Sequence, residues 1–299
     1  MNILPKISGY RKGVLSLLLL SFVFASMGLF ARYLSTGFEL FQQVYLRIFA
    51  AFMLSFIVFR NDIDLGKLRK ISTKEWGLIF ARVLTFYVFG VTLFTQAIIL
   101  TKYSNVSFIG ALPMVAIMGV FLLKEKITAK KLALIITAFL GVLLIAVTDY
   151  SHIFSWGKGE FIALISTVTF AFSYVARKWH TKLLNNKEIT TLMLGLASIL
   201  LLITSLLFGE GLPLTGWSNG LIVAIIGAGI FNIINLLLSN YGFQKVEAIF
   251  ASNILTLESV FAIVLGLLFY KEVPIARELA GGAIIALSVI GMNWVEEKE

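Results

Sequence analysis

Cysteine is absent from the 299 residues, which excludes disulfides and thiolate metal sites. Histidine occurs twice, at His152 and His180, each between apolar runs, so no imidazole cluster for a metal is expected. Charged residues make up only 14% of the chain, against about a quarter in soluble domains. No Gly-rich phosphate loop occurs, which argues against ATP-driven work by this chain. Polar stretches are short as well: the longest, "RNDIDLGKLRKISTKE" (60–75), leaves no room for a soluble domain.

What is present is apolar. The chain is 59% hydrophobic, holds 26 Phe and has a mean hydropathy of +0.94. No soluble core could hide that much surface, so the solvent for most of the chain is lipid. Ten runs have the length of a span: 13–34, 38–60, 75–99, 104–123, 131–148, 158–180, 189–208, 217–243, 247–270 and 274–295. The first follows Lys6, Arg11 and Lys12 but is longer than a signal-peptide core and lacks a small-x-small cleavage site, so it reads as a span.

The basic residues set the orientation. With the N-terminus in the cytoplasm, 18 of the 25 Lys and Arg fall on the inner side and five on the outer, and the remaining two, Arg47 and Arg82, lie within spans. This positive-inside bias predicts a multi-pass protein of the cell (inner) membrane with both termini cytoplasmic. It also accounts for the net charge of +9 without a nucleic-acid partner.

Ten spans divide into five and five. Ser21, Gly28 and Arg32 in the first helix match Ser166, Ser173 and Arg177 in the sixth at an offset of 145, both triplets on one face. Glu39 and Phe59 bound the second helix as Glu188 and Phe208 bound the seventh, at an offset of 149. The fourth and ninth helices start at equivalent Asn105 and Ala248, and each ends on Lys-Glu, at Glu125 and Glu272. Their offset grows from 143 to 147, which makes the fourth helix about four residues, close to one turn, shorter than the ninth. Glu125 and Glu272 read as turn or cap residues. Because five is odd, the halves cross the membrane in opposite senses. The fold expected is an all-α integral membrane protein: ten transmembrane helices as two inverted five-helix repeats, 1–149 and 150–299, around a central cavity.

The residues then resemble a known family. "LRIFAAF" (46–52), "ALPMVAIMGVFLLKEKIT" (111–128) and Gly141, echoed by "LESVFAIVLGLLFYKEVP" (257–274) and Gly281, are similar to the drug/metabolite transporter superfamily in its EamA-type branch. The likeness covers nearly the whole chain. Two departures stand out: Ser259 occupies the place of the usual Pro in the ninth helix, and Pro113 sits one residue closer to its Glu than is typical. The resemblance implies helices one to four and six to nine around the cavity, with five and ten packed outside. It also implies alternating access and the movement of small organic solutes, without naming the solute.

Polar side chains at membrane depth are costly and normally face protein or water. Arg47, with Gln43 one turn away, lies near the middle of the second helix. Arg82 heads a stripe through Thr85, Phe89, Thr92 and Gln96 on the third, and Asn232, Asn235 and Ser239 form a stripe on the eighth. The candidate substrate-binding residues are therefore Arg47, Arg82, Tyr87, Thr92, Gln96, Asn232, Asn235 and Asn253. Glu258 is the sole acid near the middle of a span and is the candidate for proton coupling or for an ion pair with an Arg. Any single aromatic is by default lipid contact or packing. Gly141, Gly281, Gly282 and Gly291 permit close helix approach, within the chain or across a homodimer.

A secondary carrier of small metabolites fits these features, with no cofactor and no catalytic residue expected. Two Arg and one Glu suit amino acids or similar zwitterionic or anionic solutes, because an Arg fork binds carboxylate well. A nucleobase- or nucleotide-derived metabolite is the alternative. A membrane enzyme would need acid, base, nucleophile or metal ligands gathered at one depth, and the spans hold no such set.

Overall fold

The computed structural model describes residues 3–147, 157–271 and 273–298. Among them ten helices are long and apolar enough to cross a membrane: α1 (Gly9–Leu34), α2 (Leu40–Phe59), α3 (Thr73–Leu100), α4 (Asn105–Leu123), α5 (Ala129–Ala146), α6 (Lys158–Trp179), α7 (Asn186–Leu207), α8 (Asn219–Lys245), α9 (Ala248–Leu265) and α10 (Ala276–Glu296). Each span expected from the sequence has its helix, and the described residues hold no strand. The expected division at 149/150 falls outside the described residues, as do His152 and Glu272.

Short polar side chains start the helices at the membrane edge. Ser72 Oγ accepts the Glu75 N–H (3.2 Å), Thr128 Oγ1 that of Lys131 (3.3 Å) and Ser218 Oγ that of Leu221 (3.2 Å). At α7, Asn185 and Glu188 cap each other's backbone N–H at 2.9 and 2.7 Å. Each satisfies a donor the helix itself leaves open.

Packing follows the repeat. α1 packs on α8 as α6 packs on α3, and α2 on α7, α4 on α9 and α5 on α10 pair repeat mates directly. The mates run antiparallel. Lys67 and Glu188 join the end of α2 to the start of α7 (2.9 Å), while Glu210, just past α7, accepts the Phe41 and Gln42 N–H groups at the start of α2 (2.7 and 2.9 Å). Burial pushes the Glu210 carboxyl up from the usual range, against those two bonds. The α5–α10 contact rests on glycine: a Cβ on Gly281 would stand 2.6 Å from the Gly141 carbonyl oxygen, and one on Gly141 would stand 2.8 Å from the Gly281 oxygen. Close approach at these glycines therefore joins the two repeats within one chain.

α4 and α9 are both broken. α4 consists of Tyr103–Gly110 and Met114–Leu123, with Pro113 between, and α9 of Ala248–Leu255 and Leu257–Tyr270, parting at Thr256. The first pieces have 8 residues each and the second pieces 10 and 14, which is the four-residue difference read from the offsets. Glu125 caps, but not its own helix. Its carboxylate accepts the Ala248 and Ile249 N–H groups (both 3.0 Å) at the start of α9 and pairs with Lys178 at the end of α6 (2.8 Å). Gly119 makes room for it, since a Cβ there would meet Glu125 Oε2 at 2.9 Å.

Candidate substrate cavity

The polar residues of α2 and α8 meet the rings of α1, α3 and α6 at the centre of the bundle. Phe24 and Met27, Arg47, Phe86, Val91 and Phe94, Phe170, and Asn232 with Asn235 enclose a cavity of about 20 Å³ between the two repeats. The four rings touch: Phe24 lies 5.4 Å from Phe94 and 5.5 Å from Phe170, and Phe86 lies 5.1 Å from Phe170. Arg47 is 1% exposed, and its Nη2 donates to Thr95 Oγ1 at 2.6 Å. Its Nε finds no acceptor, and no ion pair to it exists among the described residues. Asn232 Nδ2 donates to the Ala228 carbonyl (2.7 Å), and Asn235 Oδ1 is buried without a donor.

The geometry of α3 explains why Thr95 reaches Arg47. Residues Leu84–Val91 wind as a π-helix, one extra residue per hydrogen-bonded turn. Thr92 Oγ1 donates to the Tyr87 carbonyl five residues back (3.2 Å), and Ser166 Oγ on α6 donates to the Gly90 carbonyl (2.8 Å), which satisfy acceptors the wide turn exposes. Gly90 lets α6 in, because a Cβ there would stand 2.8 Å from the Phe170 ring. The stripe expected from α-helical spacing does not stay on one face: Arg82 is 0% exposed while Phe89 is 48% exposed.

Arg82 lies instead in a chain of hydrogen bonds between the cavity and the end where α3 starts. Its Nε donates to the Ser173 carbonyl (2.9 Å), Nη2 to Asn240 Oδ1 (2.8 Å) and Nη1 to His180 Nε2 (3.1 Å). A guanidinium has no lone pair to offer, so His180 Nε2 is the acceptor and its proton sits on Nδ1, facing Glu75 Oε1 at 2.6 Å. Glu75 Oε2 accepts the Thr181 N–H (3.1 Å), and Asn240 Nδ2 reaches Thr190 Oγ1 (3.1 Å). The chain ties α3, α6, α7 and α8 together. Burial, reinforced by the Arg82 charge, pushes His180 down to about 4, so the imidazole is neutral near pH 7.

The opposite end of the bundle is open. A crevice of about 610 Å³ runs between α1, α4, α9 and the start of α10, lined by Arg32, Lys102, Ser107, Ser259 and Glu278 among others. α1 is its partition from the central cavity: Ala25 and Gly28 face the crevice, Phe24 and Met27 the cavity.

Of the residues singled out in the sequence, Arg47, Asn232 and Asn235 line the cavity together. Arg82 belongs to the hydrogen-bonded chain. Tyr87 is fully buried with its hydroxyl unpartnered, ring-to-ring with Phe86 at 4.8 Å. Thr92 bonds its own helix, and Gln96 is half-buried beyond it. Asn253 donates to Ser288 Oγ (3.0 Å), which in turn donates to the Leu134 carbonyl (2.6 Å), so it links α9 to α10 and α5. Glu258 is half-buried just past the break in α9 and makes no hydrogen bond or ion pair among the described residues. The four cavity phenylalanines and Thr95 carry no sequence signal that separates them from the other Phe and Thr.

A family model described as "EamA-like transporter family" matches twice, over residues 11–147 and 157–294. No curated protein matches the chain. A solved structure titled only "Crystal structure of protein" superposes with a TM-score of 0.78, covering 97% of this chain and 98% of that one at 14% identity, a likeness of fold alone. Two family matches in succession, each on one five-helix unit of a multi-pass bundle, place the chain in the EamA-like transporter family of the drug/metabolite transporter superfamily.

Proposed function

We propose that the protein is a secondary carrier that moves a small anionic or zwitterionic organic solute, an amino acid or a similar metabolite, across the cell (inner) membrane by alternating access. It works without ATP and is not an enzyme. The observation that carries this reading is Arg47, a fully buried cation at the cavity between two inverted repeats with no acidic partner among the described residues. A buried charge left unpaired costs several kcal/mol, and a transported anion would supply the partner in transit. The hydrogen-bonded chain from Glu75 to Thr190 at one end and the crevice at the other support a carrier held closed on one side and open toward the other. With both termini in the cytoplasm, as the basic loops favour, the crevice faces outward. A nucleobase-like solute is the second reading, favoured by the amides of Asn232 and Asn235 beside four rings.

The test is flux. The purified protein in proteoliposomes should exchange labelled solute without ATP, and Arg47→Gln should stop it. Tags on both ends should be reached from the same, inner face, and tags on opposite faces would remove the orientation. For proton coupling through Glu258, the Glu258→Gln variant should flatten the pH dependence of uptake; an unchanged profile rejects that role.

A further inference from the structure

The wall of the cavity carries more than the sign of its ligand. Nine residues line it, and among them are one cation, two amides, no carboxylate and six apolar side chains, four of them phenylalanine. Glu258, the acid that would meet an ammonium group, lies outside this wall. Resting on the carrier reading above, and narrowing its anionic or zwitterionic solute to the anionic branch, we infer that the solute is an aromatic monocarboxylate without an amino group: its carboxylate on the Arg47 guanidinium, its ring among Phe24, Phe86, Phe94 and Phe170.

Three alternatives fail on the same wall. A zwitterion would bring its ammonium into a site that offers only amide oxygens, and an ion stripped of water without a counter-charge is strongly disfavoured. A phosphate dianion would place two charges against one guanidinium. A small inorganic anion would lose its hydration to rings and a methionine, with one cation and two amides to replace it. An aromatic acid matches each group in turn. Arg47 holds one charge and has an unpartnered Nε–H to add to a carboxylate fork. Ring faces and edges at 5.1–5.5 Å spacing are the geometry in which aromatic pairs attract. Asn235 Oδ1, buried without a donor, awaits a hydroxyl or ring N–H on the ligand.

The cavity as it stands, about 20 Å³, has room for a single water. The ligand ring therefore enters by replacing ring–ring contacts with ring–ligand contacts. Phe170 and Phe24 are placed to give way, since they come from α6 and α1, which are repeat mates. Movement of one against the other is how the two repeats would exchange access.

Three probes that share a phenylethyl frame separate the cases: 3-phenylpropionate has ring and acid, phenylalanine adds the amine, and phenethylamine keeps the amine without the acid. Binding to the purified full-length chain is measured by calorimetry and by thermal stabilisation. The expected order is 3-phenylpropionate tightest, phenylalanine about tenfold weaker or worse, and phenethylamine undetectable. A ring-bound hydroxyl, as in 3-(4-hydroxyphenyl)propionate, should not weaken binding. Arg47→Gln should abolish the response to 3-phenylpropionate while the unliganded variant melts no lower than the parent. Phenylalanine or phenethylamine binding as tightly as the acid overturns the inference, as does a failure of all three to bind or an Arg47→Gln variant that binds unchanged. Counterflow of the bound acid in vesicles is read separately: binding without counterflow leaves the ligand class standing and removes the carrier reading.

Discussion

Lys124 and Lys271, 147 residues apart, turn the backbone left-handed at φ +57° and +56°, and no other non-glycine residue among those described does so. Each is the lysine of a Lys-Glu pair and follows the second piece of a broken helix, α4 in one repeat and α9 in the other. A left-handed side-chain-bearing residue costs roughly 1–2 kcal/mol, partly offset in glycine by a larger unfolded-state entropy. Both side chains are exposed, so the backbone conformation is what a substitution tests. Lys124→Gly is expected to leave stability unchanged or raise it by up to about 1 kcal/mol, whereas Lys124→Val should lower it by about 1–2 kcal/mol. Thermal unfolding in detergent separates the two, and the same contrast should hold at Lys271.

Glu125 holds α9 in place from outside it. Its two oxygens accept the first N–H groups of α9 and the Lys178 ammonium, and its side chain is only 8% exposed. Charge-assisted bonds of this kind are the stronger sort. Glu125→Ala should cost about 2–3 kcal/mol, because two backbone donors and a cation lose their acceptor together. Glu125→Gln retains one acceptor and should lose about half as much. A Glu125→Ala protein that melts within a degree of the parent would show that water replaces the cap.

The frame of the protein was legible because lipid makes a coarse demand, about 20 apolar residues per crossing, that any sequence must meet openly. The repeat was legible too, down to the four-residue difference between α4 and α9. What failed was the α3 stripe. It rested on α-helical spacing, and the π-turn at Leu84–Val91 moves the face that Thr95 presents to Arg47. His180 reads from the sequence only as a histidine outside the apolar runs, yet just past the end of α6 it meets Glu75 at the start of α3. A bond spanning 105 residues leaves no local pattern to read.

His180 gives the protein a pH dependence whose sign follows from its surroundings. Its folded value lies near 4, held down by burial and by Arg82, while an unfolded histidine titrates near 6.5. Above roughly pH 6.5 both states carry a neutral ring and the contribution is complete. As pH falls from there through the folded value, the unfolded chain takes up a proton that the native state refuses, and stability is lost. The steepest loss attributable to one such group is about 1.4 kcal/mol per pH unit. His180→Gln keeps one donor for Glu75 and one acceptor for Arg82 but cannot titrate. Unfolding followed from pH 7 to pH 4.5 should be less steep for this variant than for the parent; equal slopes would mean the imidazole takes up its proton over the same pH range in the folded and unfolded chains.

The two buried arginines make opposite predictions although both lie within spans. Arg82 gives three donors to three partners on α6, α8 and the segment after α6, and so ties them together by hydrogen bonds. Arg82→Met strands a histidine nitrogen, an amide oxygen and a backbone carbonyl in a dry interior, and the nearby Glu75 loses the compensating charge. That should cost about 3–5 kcal/mol, so loss of transport in this variant would follow from loss of fold. Among the described residues Arg47 has one hydrogen-bond partner, Thr95, whose hydroxyl also bonds the Val91 carbonyl. Arg47→Met removes an uncompensated buried cation and keeps most of its volume, so the melting temperature should hold or rise while substrate-dependent stabilisation disappears. Measuring both quantities on both variants separates an arginine that holds helices together from one that waits for an anion. A fall in melting temperature for Arg47→Met equal to that for Arg82→Met would place both in the framework and leave the cavity without its cation.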